Sequence, residues 1–161
     1  VATSSFENTG ALRNEWTIAL ALLYGRVAVG GLFFWWGTKK ILDPAFGAAV
    51  SSNFYGGAFS MEALIMAFGF FQVVIGILMI LGLFRRIVHV AGAVMLGFTA
   101  ISVWYSIVDP FNLWLKNKRP VGNSQLFYPT SINLAAQLIL LATIGQDRLA
   151  LDRILFRGKF R

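Results

Sequence analysis

The chain has 161 residues, 57% hydrophobic and 13% charged, with mean hydropathy +0.68 and a formal net charge of +7. A soluble domain carries about a quarter charged residues, so this composition points to a membrane protein; the absence of cysteine excludes disulfides, thiolate zinc sites, iron–sulfur clusters and a cysteine nucleophile from this chain. A single histidine, His89, builds neither a bis-histidine haem nor a histidine-rich metal site, and the basic residues flank apolar runs, which suits anionic headgroups and not nucleic acid.

The opening residues VATSSFENTG read as a polar surface arm. They lack a basic n-region, and the apolar run after them is too long for a signal h-region, so a retained signal anchor is expected. That run, 17–36, has the length of one spanning helix and carries Arg26 near its middle. A guanidinium at that depth is costly, from about 2.5 to above 10 kcal/mol, so it should face protein. Gly30 and Gly37 follow on the same helical face, where a second helix can approach.

Lys39, Lys40 and Asp43-Pro44 end this helix and place two cations at a membrane face. The glycine- and aromatic-rich stretch 45–60 reads as a loop folded on the membrane surface, with room for a short interfacial helix. A second span is expected over 62–84, with Gln72 central, Gly69 and Gly76 on one face, and Arg85-Arg86 as its stop. A tight turn leads to a third span, 87–105, which has His89 in its first turn. A long loop follows Asp109-Pro110, and the fourth span, 129–144, carries Asn133 and Gln137 one turn apart. Residues 146–161 form a basic amphipathic tail suited to the headgroup region. The whole is one all-α membrane domain, 1–161: a four-helix bundle with a long first and third loop.

Four spans put both termini on one side. Eight basic residues fall on that side and five on the other, which favours cytoplasmic termini. Arg26, Gln72, Thr99, Asn133 and Gln137 come out at depths of about 12 to 18 Å at helical rise. Interhelical hydrogen bonding, worth about 0.6 kcal/mol per contact, is one account of the amides and the threonine, and contact with a ligand is the other. Arg26 is different, because no Asp or Glu falls at its expected depth. It must snorkel, reach Glu62 or Asp109, or meet an anionic or carbonyl-bearing ligand or a partner subunit. Its planar donor fork suits oxyanions and quinone carbonyls. Arg26, Gln72, Asn133 and Gln137 are therefore the candidate ligand residues; no catalytic residue and no metal site can be assigned.

Arg26, Gly30 and Gly37-Thr38-Lys39-Lys40 resemble the first signature of the DoxX family, and Gly76 through Gly82-Leu83-Phe84-Arg85-Arg86 resembles its second. The ending Gly145-Gln146-Asp147-Arg148-Leu149-Ala150-Leu151-Asp152 is similar to that of the DoxD-type branch. The resemblance implies a four-helix integral membrane protein of a prokaryotic cytoplasmic membrane. It also implies a membrane subunit of a quinone-linked redox system, in the manner of thiosulfate:quinone oxidoreductase, with a quinone as the one cofactor and none covalently bound. The family pattern carries no secure active-site residues to transfer. The alternative is a non-catalytic accessory subunit of a larger respiratory or photosynthetic membrane complex, with other membrane subunits as partners. A small transporter ranks third, because four helices are few for a transport path.

Overall fold

The computed structural model describes residues 3–57, 60–109, 113–114 and 131–156, with side chains from Asn14 onward. Every regular element among them is a helix: α1 (Thr3–Leu42), α2 (Pro44–Tyr55), α3 (Glu62–Leu81), α4 (Arg85–Ser102), α5 (Trp104–Val108), α6 (Ser131–Ala142) and α7 (Leu151–Leu155). Two are long and apolar enough to cross a membrane, α1 over Asn14–Leu42 and α3 over Glu62–Leu81.

The first element is longer than the apolar run that defines it. α1 has 40 residues and begins at Thr3, so the described part of the stretch read as a surface arm, from Thr3 on, is helical. No proline interrupts 3–42, and the one adjacent glycine pair, Gly30-Gly31, is tolerated inside an otherwise helix-compatible run. Asp43 stops α1 and starts α2: its side chain caps the Phe46 N–H, and Pro44 sits in the first turn, where a missing N–H costs nothing. The stretch read as a surface loop is thus mostly the 12-residue helix α2, which ends at Gly56 in the left-handed region. It packs on α1, α3 and α4.

The most extensive packing joins α1 to α3, antiparallel. Its seam is two reciprocal glycine pairs. A Cβ on Gly30 would sit 2.8 Å from Gly76 O, and one on Gly76 would sit 2.6 Å from Gly30 O. Gly37 and Gly69 repeat the arrangement one heptad away, with the corresponding approaches at 2.5 and 2.9 Å. Backbones this close gain dispersion contact and shed side-chain entropy, the usual means of helix association where water supplies no driving force.

α3 ends at Gly82, whose φ of 70° lets the Leu83 N–H reach Leu78 O and its own N–H reach Met79 O. α4 runs back antiparallel to α3 and stops at Val103; α5 restarts at Trp104, so the expected third span, 87–105, is one helix ending at Ser102 and a short second one. α6 lies against α4 over 12 residues. The first two positions of the expected fourth span, 129–130, fall outside the described residues, as does most of the long third loop. The tail is expected to lie on the membrane as one amphipathic segment. Instead, residues 145–156 fold back over the α3–α4 turn, where the Asp152 N–H donates to Gly82 O and α7 follows; positions 157–161 lie outside the described residues.

Burial is inverted relative to a water-soluble protein. Arg26, His89 and Gln137 are among the largest fully buried side chains, while Phe70, Phe71, Trp35, Ile101 and Ile139 face outward. An apolar exterior of this extent needs an apolar solvent.

Candidate functional site

The expected single polar layer divides into centres at different levels. The cause is the register of α1. Counting from Thr17 puts Arg26 mid-membrane, but the glycine seam sets Gly30 against Gly76, so Arg26 meets the last turn of α3. Its Nη1 donates to Ile80 O and its Nη2 to Leu149 O, both at 3.3 Å. Gln72, by contrast, contacts Lys40, which is fourteen residues or about 21 Å along α1 from Arg26. Thr99 bonds the Tyr55 hydroxyl of α2 at 3.0 Å, and Asn133 is half-buried on α6 one turn before Gln137. Arg26 and Gln72 are therefore not neighbours.

Arg26 also has an acidic partner. It is 0% exposed, and its Nε lies 3.0 Å from Asp147 Oδ2, an ion pair without the alignment of a hydrogen bond. The turn through Gly145 carries Asp147 inward from the boundary level expected for it. Arg85 reaches the same oxygen at 3.8 Å and donates from Nη1 to Ile144 O and Asp147 O at 2.8 and 3.2 Å. Asp152 completes the cluster. It accepts from the Phe84 N–H at 2.9 Å and the Arg85 N–H at 3.0 Å, and lies 3.4 Å from Arg85 Nε. Phe84 has φ 50°, a strained value for a side chain other than glycine, and the Asp152 carboxylate holds it while capping α4. Two arginines and two aspartates make the cluster neutral, which is what lets it sit inside an apolar bundle.

Beside this clasp, His89 is 1% exposed and Gln137 0%. His89, in the second turn of α4, points inward, and Gln137 of α6 donates from Nε2 to His89 O at 2.7 Å. Gly92 permits this, since a Cβ there would meet Gln137 Nε2 at 2.7 Å. Four buried polar atoms in this part of the bundle make no aligned hydrogen bond among the described residues: Arg26 Nε, which is ion-paired, and His89 Nδ1, Gln137 Oε1 and Asp147 Oδ1. Because Nε2 of Gln137 is committed to a carbonyl, Oε1 is fixed as an acceptor.

The second centre lies at the α2 end. Lys39 behaves as the stop signal expected of it, half-exposed and paired with Asp43 at 3.2 Å. Asp43 lies beyond the spanning part of α1. The Phe46 N–H and then the Lys39 ammonium hold its carboxyl below the usual range. Lys40 does not follow Lys39. It is 8% exposed and turns under α3, where Nζ donates to Gln72 Oε1 at 2.8 Å and approaches Trp36 O at 3.5 Å. The Trp36 and Phe68 rings flank it at 5.3 and 5.6 Å. Sequence reasoning passes over Lys40 because a Lys-Lys pair at a helix end is first of all a stop signal. The helical periodicity contained the clue, since Lys40 falls three residues after Gly37 on the face turned to α3.

Among the described residues no group of three His, Cys, Asp or Glu is placed to hold a metal ion. Compared with known proteins, residues 21–104 match the family model described as DoxX, just over half of the chain. No curated protein and no solved structure matches it.

Proposed function

Because the chain belongs to the DoxX family of membrane proteins, we propose that it is a membrane subunit of a quinone-linked redox system, with α1, α3, α4 and α6 crossing a prokaryotic cytoplasmic membrane and the clasp end cytoplasmic. The thiosulfate:quinone oxidoreductase type, with the DoxD-like ending, is the specific form of this reading.

One observation carries it. The buried atoms His89 Nδ1, Gln137 Oε1 and Asp147 Oδ1 make no aligned hydrogen bond in or beside the clasp, where each orphan costs about 1 to 3 kcal/mol. They are two acceptors and an imidazole, the set that receives hydroxyl donors and a proton, and so they fit a quinol headgroup. A quinone or quinol supplies two oxygens that exchange two electrons and two protons. The chain's own part is to orient and to hold charge. Gln137 accepts a hydrogen bond at Oε1 while its Nε2 stays on His89 O. His89 takes or returns a proton at Nδ1. Asp147, fixed by Arg26 and Arg85, steadies the imidazolium. In this reading Gln137 touches the ligand, while Arg26, expected to do so, acts by positioning Asp147. Gln72 and Asn133 fall outside this centre.

The test is quinone reduction by the assembled system carrying His89→Gln or Gln137→Leu. A fall of ten-fold or more with intact assembly is expected, and unchanged turnover in a correctly assembled complex would refute the reading. The accessory-subunit reading is favoured by one specific feature, the internal balancing of Arg26 by Asp147, which removes the need for an external anion at that point. Under it, both variants leave turnover unchanged, while partner subunits still co-purify in mild detergent.

A further inference from the structure

We propose that Lys40 anchors an oxyanion site at the α2 end of the bundle, taking a phosphate-type group whose negative charge the chain itself does not provide. The argument begins with a count of acids. The protein has seven Asp and Glu. Asp147 and Asp152 belong to the clasp at the other end, where Glu15 pairs with Arg148. Glu7 is thirty-three residues before Lys40 on α1, about 50 Å away at helical rise. Asp43 is taken by Lys39 and the Phe46 N–H, and Asp109 accepts from the Leu113 and Trp114 amides. Glu62 is exposed at the first turn of α3 and forms no ion pair with Lys40. The stretches outside the described residues contain no Asp or Glu at all. Lys40 is thus a buried ammonium with no carboxylate counter-ion among the described residues.

Its surroundings are half of a binding site. An ammonium has three donors, of which Gln72 Oε1 takes one at 2.8 Å and Trp36 O takes a second weakly at 3.5 Å. The last carbonyls of α1 carry the negative end of the helix dipole, which offsets part of the charge and none of the third donor. Nor does the side chain snorkel: Lys39, its neighbour, reaches outward, while Lys40 turns inward beneath the aromatic faces. Lys40 lies two residues from the end of α1, and its ammonium turns back from that end to meet Phe68 and Gln72 in the second and third turns of α3. The Phe68 ring beside it is itself 45% exposed on the outer face, so an anion can approach laterally. Gln72 holds Nζ in place by accepting from it, leaving its own Nε2 as a further donor for the same oxyanion.

A lipid phosphodiester and free inorganic phosphate share this chemistry, and the experiment separates them. Delipidated wild-type protein in neutral detergent is titrated in one arm with phosphatidylglycerol and in another with inorganic phosphate, with thermal unfolding as the readout. A saturable rise in Tm is expected in at least one arm, and the arm identifies the source. The apparent Kd weakens ten-fold or more in Lys40→Met and by less in Lys40→Arg, which keeps the charge. A second measurement needs only the wild type: the active anion protects Lys40 from acylation by an amine reagent, read by mass spectrometry, while Lys39 reacts regardless. An absence of any saturable Tm shift in wild type overturns the proposal. So does an equal shift in Lys40→Met, or acylation of Lys40 indifferent to the anion. The site is remote from His89 and Gln137, so its failure leaves the quinone reading untouched.

Discussion

Arg26 is a residue whose identity is conspicuous and whose partner is not. A guanidinium inside an apolar helix announces itself in the linear chain, but Asp147 is more than a hundred residues away, in a turn whose path depends on how α6 ends. Helical rise alone put Asp147 at the membrane boundary and Arg26 in the middle. The glycine seam moves Arg26 to the last turn of α3, and the chain after Ala142 turns inward to meet it. The pair is buried on both sides, so breaking it strands a charge. Arg26→Met leaves Asp147 with Arg85 at 3.8 Å, whereas Asp147→Leu leaves Arg26 without a carboxylate and Arg85 with Asp152 alone at 3.4 Å. The second variant is therefore expected to be the more damaging, by about 3 to 5 kcal/mol against the wild type. The double variant should recover part of that loss, because the desolvated charges then leave together. Denaturant titration of all four proteins in detergent micelles measures the cycle; purely additive losses would show that the pair acts through separate contacts.

At the scale of elements, the helices that a periodic apolar run announces are present, and their ends are set by residues that can be named. Asp43 with Pro44 and Gly56 bounds α2, and Gly82 ends α3. What spacing alone did not convey was that most of the stretch after Asp43, 44–55, would pack as a helix against three others. Its composition is small and aromatic, as a buried interfacial helix requires, and only the Asp43-Pro44 start signal marks it out from a loop. The glycines at 30, 37, 69 and 76 were legible as packing positions, and the structure pairs them with one another. Adjacent glycines of α1 give an internal control. A Cβ on Gly30 meets the Gly76 carbonyl and the Met79 Cβ, whereas one on Gly31 meets nothing within 4 Å. Gly30→Ala should cost about 1 to 3 kcal/mol by forcing the helices apart. Gly31→Ala should be neutral or stabilise by up to about 1 kcal/mol through helix propensity. Thermal unfolding of the two variants side by side is the measurement, and equal losses would place the seam elsewhere.

For the whole molecule the question is how the bundle sits in the bilayer. The glycine seam runs α1 against α3 over about 26–42 and 62–81, close to the thickness of a hydrocarbon core at helical rise. α4 returns over 18 residues, but with two arginines and His89 it is less apolar than α3, and α6 has only 12. Such helices cross where neighbours shield their polar groups, and here the shielding is the clasp: Arg85 and His89 are covered by α6 and by the segment carrying Asp147 and Asp152. On the proposed topology the crossing of α4 and α6 is a property of the assembled bundle, whereas apolar length alone identifies α1 and α3. The arrangement places Ile87 and Ile154 at the clasp end and Met61 at the α2 end, all well exposed. A chain without cysteine makes this simple to test with single cysteines at those three positions. With four crossings and basic clasp loops inside, an impermeant thiol reagent added to intact cells should label Met61→Cys. It should reach Ile87→Cys and Ile154→Cys only after the membrane is opened. Labelling of all three from one side would mean that α4 and α6 lie against the bilayer without crossing it. The reverse pattern would keep the four crossings and invert the charge rule, putting Arg85, Arg86 and the clasp on the outer face.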